Sequence, residues 1–571
     1  MRARRATLEP DPDSSLGLPL ADGHLTLGHA LRWSVERYAD RRALTFNGRS
    51  WTYAQLGDEV ERYAAALVEC GVGKGSRVAI MMGARPEFVF LLYANAMVGG
   101  VSVLVSTFST AAETRWILNH SDAALLIAHT GIRGRAIRDD LLEEIPSLGA
   151  VDGSVADTSL PFLRRVVWLP SSPDVGAELQ SGWDEFLAAS RTVVAGLVEA
   201  RQAAVVPDDD AMLLYTSGST GTPKAVLHVH RAPTIQGFRM ADCMAIGPTD
   251  VAWTSFPTFW SAGLVTAIFG PLAVGANSVL QESYEPAEAL RMIEQERVTS
   301  VRQTAHDELR LVNEHDRLPT DLSSVEVGVI STALRDLTSI AEEVCEICGW
   351  GMTETFTQFT MLPFDAALED RRQTTGVPQP GHRLRIVDPE TEEPVPDGDV
   401  GEIRISGPVL FRGYYKQVPL LPLDAAGCFR TGDTGYLDEQ GRLVYTGRLD
   451  RLIKSGGVNI SPVEIEERLL GWERIGPSSL LGVPHPTLGQ APVLCVVQRE
   501  GEHVDADEVL DYLRREFSSY KVPRRVVFFS AEEMPMTSSS KIVIGQLRER
   551  TIERLLDEGV EPAWAELLSE A

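Results

Sequence analysis

The sequence predicts an α/β protein: a large N-terminal α/β body with β subdomains, then a small C-terminal α+β domain. Three observations predict it. Up to about residue 200, segments with helical apolar spacing alternate with short apolar strand-like runs, the pattern of a sheet covered on both faces. Near residue 380 the texture changes to short strands separated by turn chemistry such as Pro396-Asp397-Gly398. The last ~120 residues alternate helix and strand patterns and suffice for an independent module.

Residues 1–25 are expected to form a mobile tail, since MRARRATLEPDPDSS is basic at its start but lacks the apolar stretch of a signal peptide. The spacing in 53–70 predicts an amphipathic helix, and 77–82 a strand. The uncharged stretch 88–112 is long enough to be weighed as a membrane span. Gly99-Gly100 splits it, and Asn95, Ser102, Ser106 and Thr107 interrupt its apolar surface. It therefore reads as a helix after Pro86, a glycine break and a buried strand over 101–105. Residues 123–128 form a further strand, whereas 130–205 are too rich in acidic and turn residues to assign. Strands follow over 384–387, 401–406 and 443–446, then a helix over 462–470. Strands over 493–498 and 525–529 and a helix over 506–517 complete the chain. The boundary falls near 448–454, giving domains of 26–449 and 450–571.

The 571 residues are 44% hydrophobic and 23% charged, an ordinary soluble globular composition. Against 80 acidic residues stand 53 basic ones, a net charge of −27. That field repels polyphosphate backbones and anionic lipid, which excludes general nucleic-acid binding and membrane insertion. An anionic substrate must then be met by a local positive site. Six scattered cysteines give no disulfide framework and point to a reducing cytoplasm. Lysine occurs only at Lys74, Lys224, Lys416, Lys454, Lys521 and Lys541. A lysine kept among so many arginines can mark a need for a compact ammonium, although compositional drift explains the scarcity equally.

The strongest motif is the run LLYTSGSTGTPKAVLHVH over 213–230. A short apolar strand enters Thr216, Ser217, Gly218, Ser219, Thr220, Gly221, Thr222, Pro223 and Lys224. Glycines admit close backbone approach, hydroxyls donate to phosphate oxygens and the lysine supplies charge. Pro223 intervenes between glycine and lysine, so this is not a Walker A loop. A Ser/Gly-rich surface turn is the bland alternative.

This segment resembles the phosphate loop of the adenylate-forming (ANL) superfamily, which includes acyl-CoA and aryl-CoA synthetases. Further signatures follow in the family's order. The run 349–355 resembles its Tyr-Gly-x-Thr-Glu segment, and Thr431-Gly432-Asp433 its ribose-binding Thr-Gly-Asp. The runs 447–457 and 460–466 resemble the hinge and following loop, and 535–542 the segment holding its catalytic lysine. The similarity spans roughly residues 30–550.

The resemblance implies ATP, Mg²⁺ and CoA as cofactors and a carboxylic acid as substrate. It implies that Lys541 bridges the acid and the α-phosphate, that Glu354 holds Mg²⁺ through ATP, and that Thr353 contacts phosphate. Trp350 and Gly351 would border the adenine, Asp433 would accept from both ribose hydroxyls, and Arg448 would add a ribose or phosphate contact. Asp450 matches the hinge about which a mobile C-terminal domain rotates. The Gly456-Gly457 loop then lines a tunnel for the pantetheine arm of CoA.

The chain departs from the family pattern at Trp350, at Ser331-Thr332-Ala333, where a Gly-Gly-Ala loop is usual, and at Ser540. Amino-acid-activating relatives place an aspartate near Trp260, so an α-amino acid substrate is disfavoured. Phe259, Trp260 and Gly263 suit an apolar wall for an aryl, alicyclic or aliphatic acid, or else plain core packing. Cys345 and Cys348 form a lone CxxC, and His228 and His230 alternate on a strand-like run; neither pair has metal-ligand company. The function expected is two-step acid–CoA ligation. Two alternatives stay open: adenylation only, with transfer to a partner ligase or carrier protein, and non-catalytic nucleotide or acyl binding.

Overall fold

The computed structural model describes residues 9–171, 177–216, 223–328, 332–339, 349–362, 366–451, 453–455, 458–460, 462–472, 474–499, 501–517, 521–537 and 542–569. Its contacts divide the chain into two compact units. One comprises Met1–Arg383 with Ser406–Leu423, the other Leu384–Ile405 with Asp424–Ala571.

The first unit is built on a seven-stranded sheet. In spatial order its strands are Gly413–Tyr414, Lys224–Val229, Asp210–Thr216, Val101–Leu104, Arg77–Met81, Leu125–His129 and Arg165–Leu169. The last five are parallel; Lys224–Val229 and Gly413–Tyr414 join antiparallel. Val101–Leu104 and Leu125–His129 are buried at every position, which explains why their sequences show no polar alternation.

The helices on this sheet start where local chemistry directs. Thr52 and Gln55 form a reciprocal capping box for Tyr53–Glu69, which ends one residue before the predicted limit. Pro86 opens Pro86–Met97, in which every residue but Glu87 is buried. The glycine break after it is obligatory, because a Cβ at Gly100 would lie 1.9 Å from the Asn95 side-chain oxygen. Among the described residues no helix is long and apolar enough to cross a membrane. The unassigned stretch 130–205 holds the edge strand and the helices Ile137–Glu144, Ala177–Ala188 and Leu197–Ala203.

A second, five-stranded sheet in the same unit runs Ser300–Arg302, Val251–Thr254, Asn277–Val279, Arg42–Phe46 and Arg49–Thr52. A short antiparallel sheet joins Gly349–Gly351, Gln358–Met361 and Val377–Pro378. The predicted tail is corrected in part. Leu18, Leu20 and Leu25 are buried around the turn Asp22–His24, so apolar side chains pin residues 18–25 down.

The second unit contains a four-stranded sheet and a five-stranded one. In the latter, Gly489–Gln498 alternates with period two. Val493, Cys495 and Val497 pack on Leu547, Leu555 and Trp564, while Leu494 and Val496 pack on Ile465, Leu469, Val509 and Leu513. The helix Pro462–Leu470 and strand Arg525–Phe529 have the bounds their sequences predict.

Candidate active site

Thr216 ends one strand and Lys224 begins the next, and the two pair directly across the antiparallel ladder. Lys224 thus opens a strand and not a helix, in keeping with the Pro223 argument against a Walker A loop. Ser217, Gly218, Ser219, Thr220, Gly221 and Thr222 lie outside the described residues.

Thr353 and Glu354 occupy a 3-10 turn, Thr353–Thr355, just after the strand Gly349–Gly351. Three elements clamp this turn. The buried His228 ring bonds through Nε2 to the Thr353 carbonyl at 2.7 Å, so Nε2 carries the proton. Gln236 donates to the carbonyls of Thr355 and Gln358 at 3.0 and 2.7 Å. The Phe411 amide donates to the Glu354 carbonyl at 2.8 Å. Buried Phe356 closes the turn at a φ of +66° and sets its ring edge-on to His228 at 5.1 Å.

The Glu354 side chain is buried, and the Tyr414 hydroxyl donates to its Oε1 at 2.7 Å. Its other oxygen has no hydrogen-bond partner among the described residues. Tyr414 comes from the two-residue strand that pairs with Val226, and the Lys224 ammonium stands 5.0 Å from its ring centre. The ladder brings Lys224 beside Tyr414, and the Tyr414 hydroxyl joins the Glu354 carboxylate of the neighbouring turn to them.

Trp350 is buried, edge-on to Phe359 at 6.2 Å. The glycines flanking it are required: a Cβ at Gly349 or Gly351 would lie 2.6 Å from the Thr360 carbonyl oxygen or 1.9 Å from that of Thr357. In the second unit, Asp433 and Arg448 face each other across the antiparallel strands Phe429–Leu437 and Leu443–Arg448. Their side chains pair at 3.1 Å, the carboxylate buried and the guanidinium 44% exposed. The backbone of Asp450 lies in the turn Leu449–Arg451. Gly456, Gly457, Lys541, Ser540, Ser331, Cys345 and Cys348 lie outside the described residues.

A cavity of about 320 Å³ lies beside the 349–361 hairpin, with Phe256, Ala262, Val265 and Thr266 in its apolar wall. Phe259, Trp260 and Gly263 belong to the same segment but are not among the residues that line it. Phe259 packs edge-on against Phe108 and Trp260, at 5.3 and 5.9 Å. A Cβ at Gly263 would lie 2.0 Å from the Pro257 carbonyl oxygen, so this glycine serves a close backbone approach.

The structure agrees with the core reading of His228 and His230, both fully buried. It adds what sequence reasoning missed: His228 holds the Thr353 turn, and Tyr414 orients Glu354. A lone tyrosine in a two-residue strand, 60 positions from its carboxylate, carries no periodic signal. Among the described residues no three His, Cys, Asp or Glu side chains cluster as metal ligands. A single carboxylate with a spare oxygen fits Mg²⁺, which takes few protein ligands and relies on substrate phosphates and water.

Residues 31–415 match the family profile described as AMP-binding enzyme, and residues 464–541 match the AMP-binding enzyme C-terminal domain. An acyl-CoA ligase, SID4, from Ajellomyces capsulatus is 30% identical over 92% of this chain and 91% of its own. A feruloyl-CoA synthase from Amycolatopsis is 30% identical over 89% of this chain and 95% of its own. Among solved structures, an anthranilate CoA ligase in complex with anthranoyl-AMP shares the fold, with a TM-score of 0.76, 22% identity and 93% and 98% coverage. The o-succinylbenzoate CoA synthetase of Bacillus subtilis, in complex with ATP and magnesium ion, gives a TM-score of 0.71 at 23% identity, covering 91% of this chain and 99% of its own. The match over more than half the chain, together with the motif order and the Lys224–Tyr414–Glu354 group, places this protein in the AMP-binding enzyme family, among the acyl- and aryl-CoA synthetase-like members of the adenylate-forming superfamily.

Proposed function

We propose that this chain is an ATP-dependent acid–CoA ligase working in the cytoplasm. It converts a carboxylic acid to its acyl-adenylate with release of pyrophosphate, then to acyl-CoA with release of AMP. The observation that carries the reading is Glu354, a buried carboxylate oriented by Tyr414 with one oxygen unclaimed among the described residues.

Mg²⁺ held by Glu354 would offset charge on the ATP phosphates. Thr216 and Lys224, at the mouth of the hydroxyl-rich loop, suit phosphate binding, and Thr353 stands next to the metal carboxylate. Asp433 suits the ribose hydroxyls with Arg448 beside it. Adenylation brings two anions together, and an ammonium between them lowers that repulsion in the transition state. Lys541 fills this role by its motif position. Rotation about Asp450 would then withdraw it and bring in Gly456 and Gly457 for the thioester step.

The test is ATP–pyrophosphate exchange, expected to depend on added acid and to fall by about a thousandfold or more in Lys541→Ala. Unchanged exchange in that variant overturns the role of Lys541. AMP release that does not respond to CoA would restrict the enzyme to adenylation.

A further inference from the structure

We propose that the acid activated here is bifunctional, carrying a second anionic group remote from its reacting carboxylate, which Arg302 and Gln303 hold inside the cavity beside the 349–361 hairpin. This rests on the ligase reading above and specifies its substrate class.

Arg302 ends the strand Ser300–Arg302 and lines the cavity, yet it is 92% buried, with 8% of its surface exposed. Its Nη1 donates to the Val301 carbonyl at 2.7 Å, while Nε and Nη2 are buried without a hydrogen-bond partner among the described residues. No carboxylate of the described residues forms an ion pair with it. Burial lowers its pKa to about 10, so it remains a cation at neutral pH. The backbone is shaped around this guanidinium. Gly328, at a φ of +101°, approaches so closely that a Cβ there would lie 1.4 Å from Nη1. Only glycine accommodates both the conformation and the contact.

The neighbouring groups extend the same pattern. Gln303 is buried with both side-chain amide atoms unpartnered, and Thr357 Oγ1 and Gln358 Oε1 are likewise unmatched; all three residues line this cavity. A buried cation and several buried polar atoms without partners are costly unless something completes them. A carboxylate does so well, because a guanidinium binds its two oxygens side by side. That carboxylate is not the one that reacts. Its oxygens would be engaged by the guanidinium, whereas the reacting carboxylate needs a free oxygen to attack phosphorus. With Phe256, Val265 and Met240 supplying apolar wall, the site fits a compact apolar body that ends in an anion.

The experiment measures acid-dependent pyrophosphate release by the full-length wild-type enzyme with matched acids: adipate against hexanoate, and terephthalate against para-toluate. A dicarboxylate is expected to exceed its methyl-ended counterpart in kcat/KM by about a hundredfold, since rejecting the counterpart follows from leaving buried donors unmatched. Arg302→Met is expected to cut that preference at least about tenfold, with Arg302→Lys recovering part of it. Turnover of methyl-ended acids as well as or better than dicarboxylates overturns the inference while leaving the ligase reading intact. So does a preference that survives in Arg302→Met. Absence of acid-dependent release with every acid overturns the ligase reading, and this inference with it.

Discussion

Arg302 and Arg404 are both buried, one in each compact unit, and the protein meets their charges in opposite ways. Arg404, 1% exposed, pairs with the buried Glu402 carboxylate at 2.8 Å and has Asp424 and Glu392 at 3.6 Å. Those acids also serve the backbone: Glu402 accepts from the Gly432 amide, and Asp424 from Ala426 and Cys428. Arg302 has a cavity where Arg404 has carboxylates. A charge buried with its own counterions belongs to the fold, and one buried against a cavity is held for something the chain does not supply.

The largest effect expected from this contrast is on stability. Arg404→Met leaves buried carboxylates without their cation and should cost about 3–5 kcal/mol in urea unfolding. Arg302→Met removes a cation that lacks a counterion and should leave stability unchanged or raise it. Equal losses in the two variants would break the comparison.

The carboxylates show the same division on a smaller scale. Glu402 is answered by a cation, whereas Glu354 is answered by the neutral Tyr414 hydroxyl, which orients it without neutralising it. Tyr414→Phe removes one hydrogen bond to a buried carboxylate, worth about 1.5–3 kcal/mol. At subsaturating MgATP, kcat/KM is expected to fall about 10–100-fold. A loss of stability with kcat/KM intact would make this bond a packing feature and nothing more.

Much of this was legible in the sequence, for reasons that differ by element. The helix over 462–470 and the strand over 525–529 have unmixed local signals, and the helix after Pro86 has its stop written in Gly99-Gly100. The fold class and family followed from motif order. The groups that orient the site did not. Tyr414 reaches Glu354, and Gln236 reaches Thr355, only through sheet pairing between distant segments. Arg302 read as one arginine among many, because burial without a counterion is a tertiary property. The sequence points to Phe259, Trp260 and Gly263 as an apolar wall, whereas the cavity is lined by the neighbouring Phe256, Ala262, Val265 and Thr266. Short apolar runs such as Arg165–Leu169 carry too few residues for periodicity to separate strand from buried helix.

One of the two compact units, the first, should also be weakened by acid. The first buries histidines in neutral form: burial lowers His228, His230 and His382 to about 4, and burial with the nearby Arg85 lowers His129 to about 3. Because these values lie below the unfolded value of about 6.5, the folded state favours the uncharged ring. Their stabilising contribution is complete above pH 6.5 and is lost as pH falls from about 6.5 toward about 4, at ~1.4 kcal/mol per pH unit for each ring. His230 suits the test, since neither ring nitrogen has a hydrogen-bond partner among the described residues; burial lowers its pKa most, Asp209 raises it, and His29 and Lys74 lower it. His230→Leu therefore removes a titration without removing a hydrogen bond. Between pH 6.5 and 5.5 its unfolding free energy should decline by about 1 kcal/mol less than that of the wild type, measured by urea titration at each pH. An identical decline in both would show that His230 does not contribute to the acid sensitivity of the first unit.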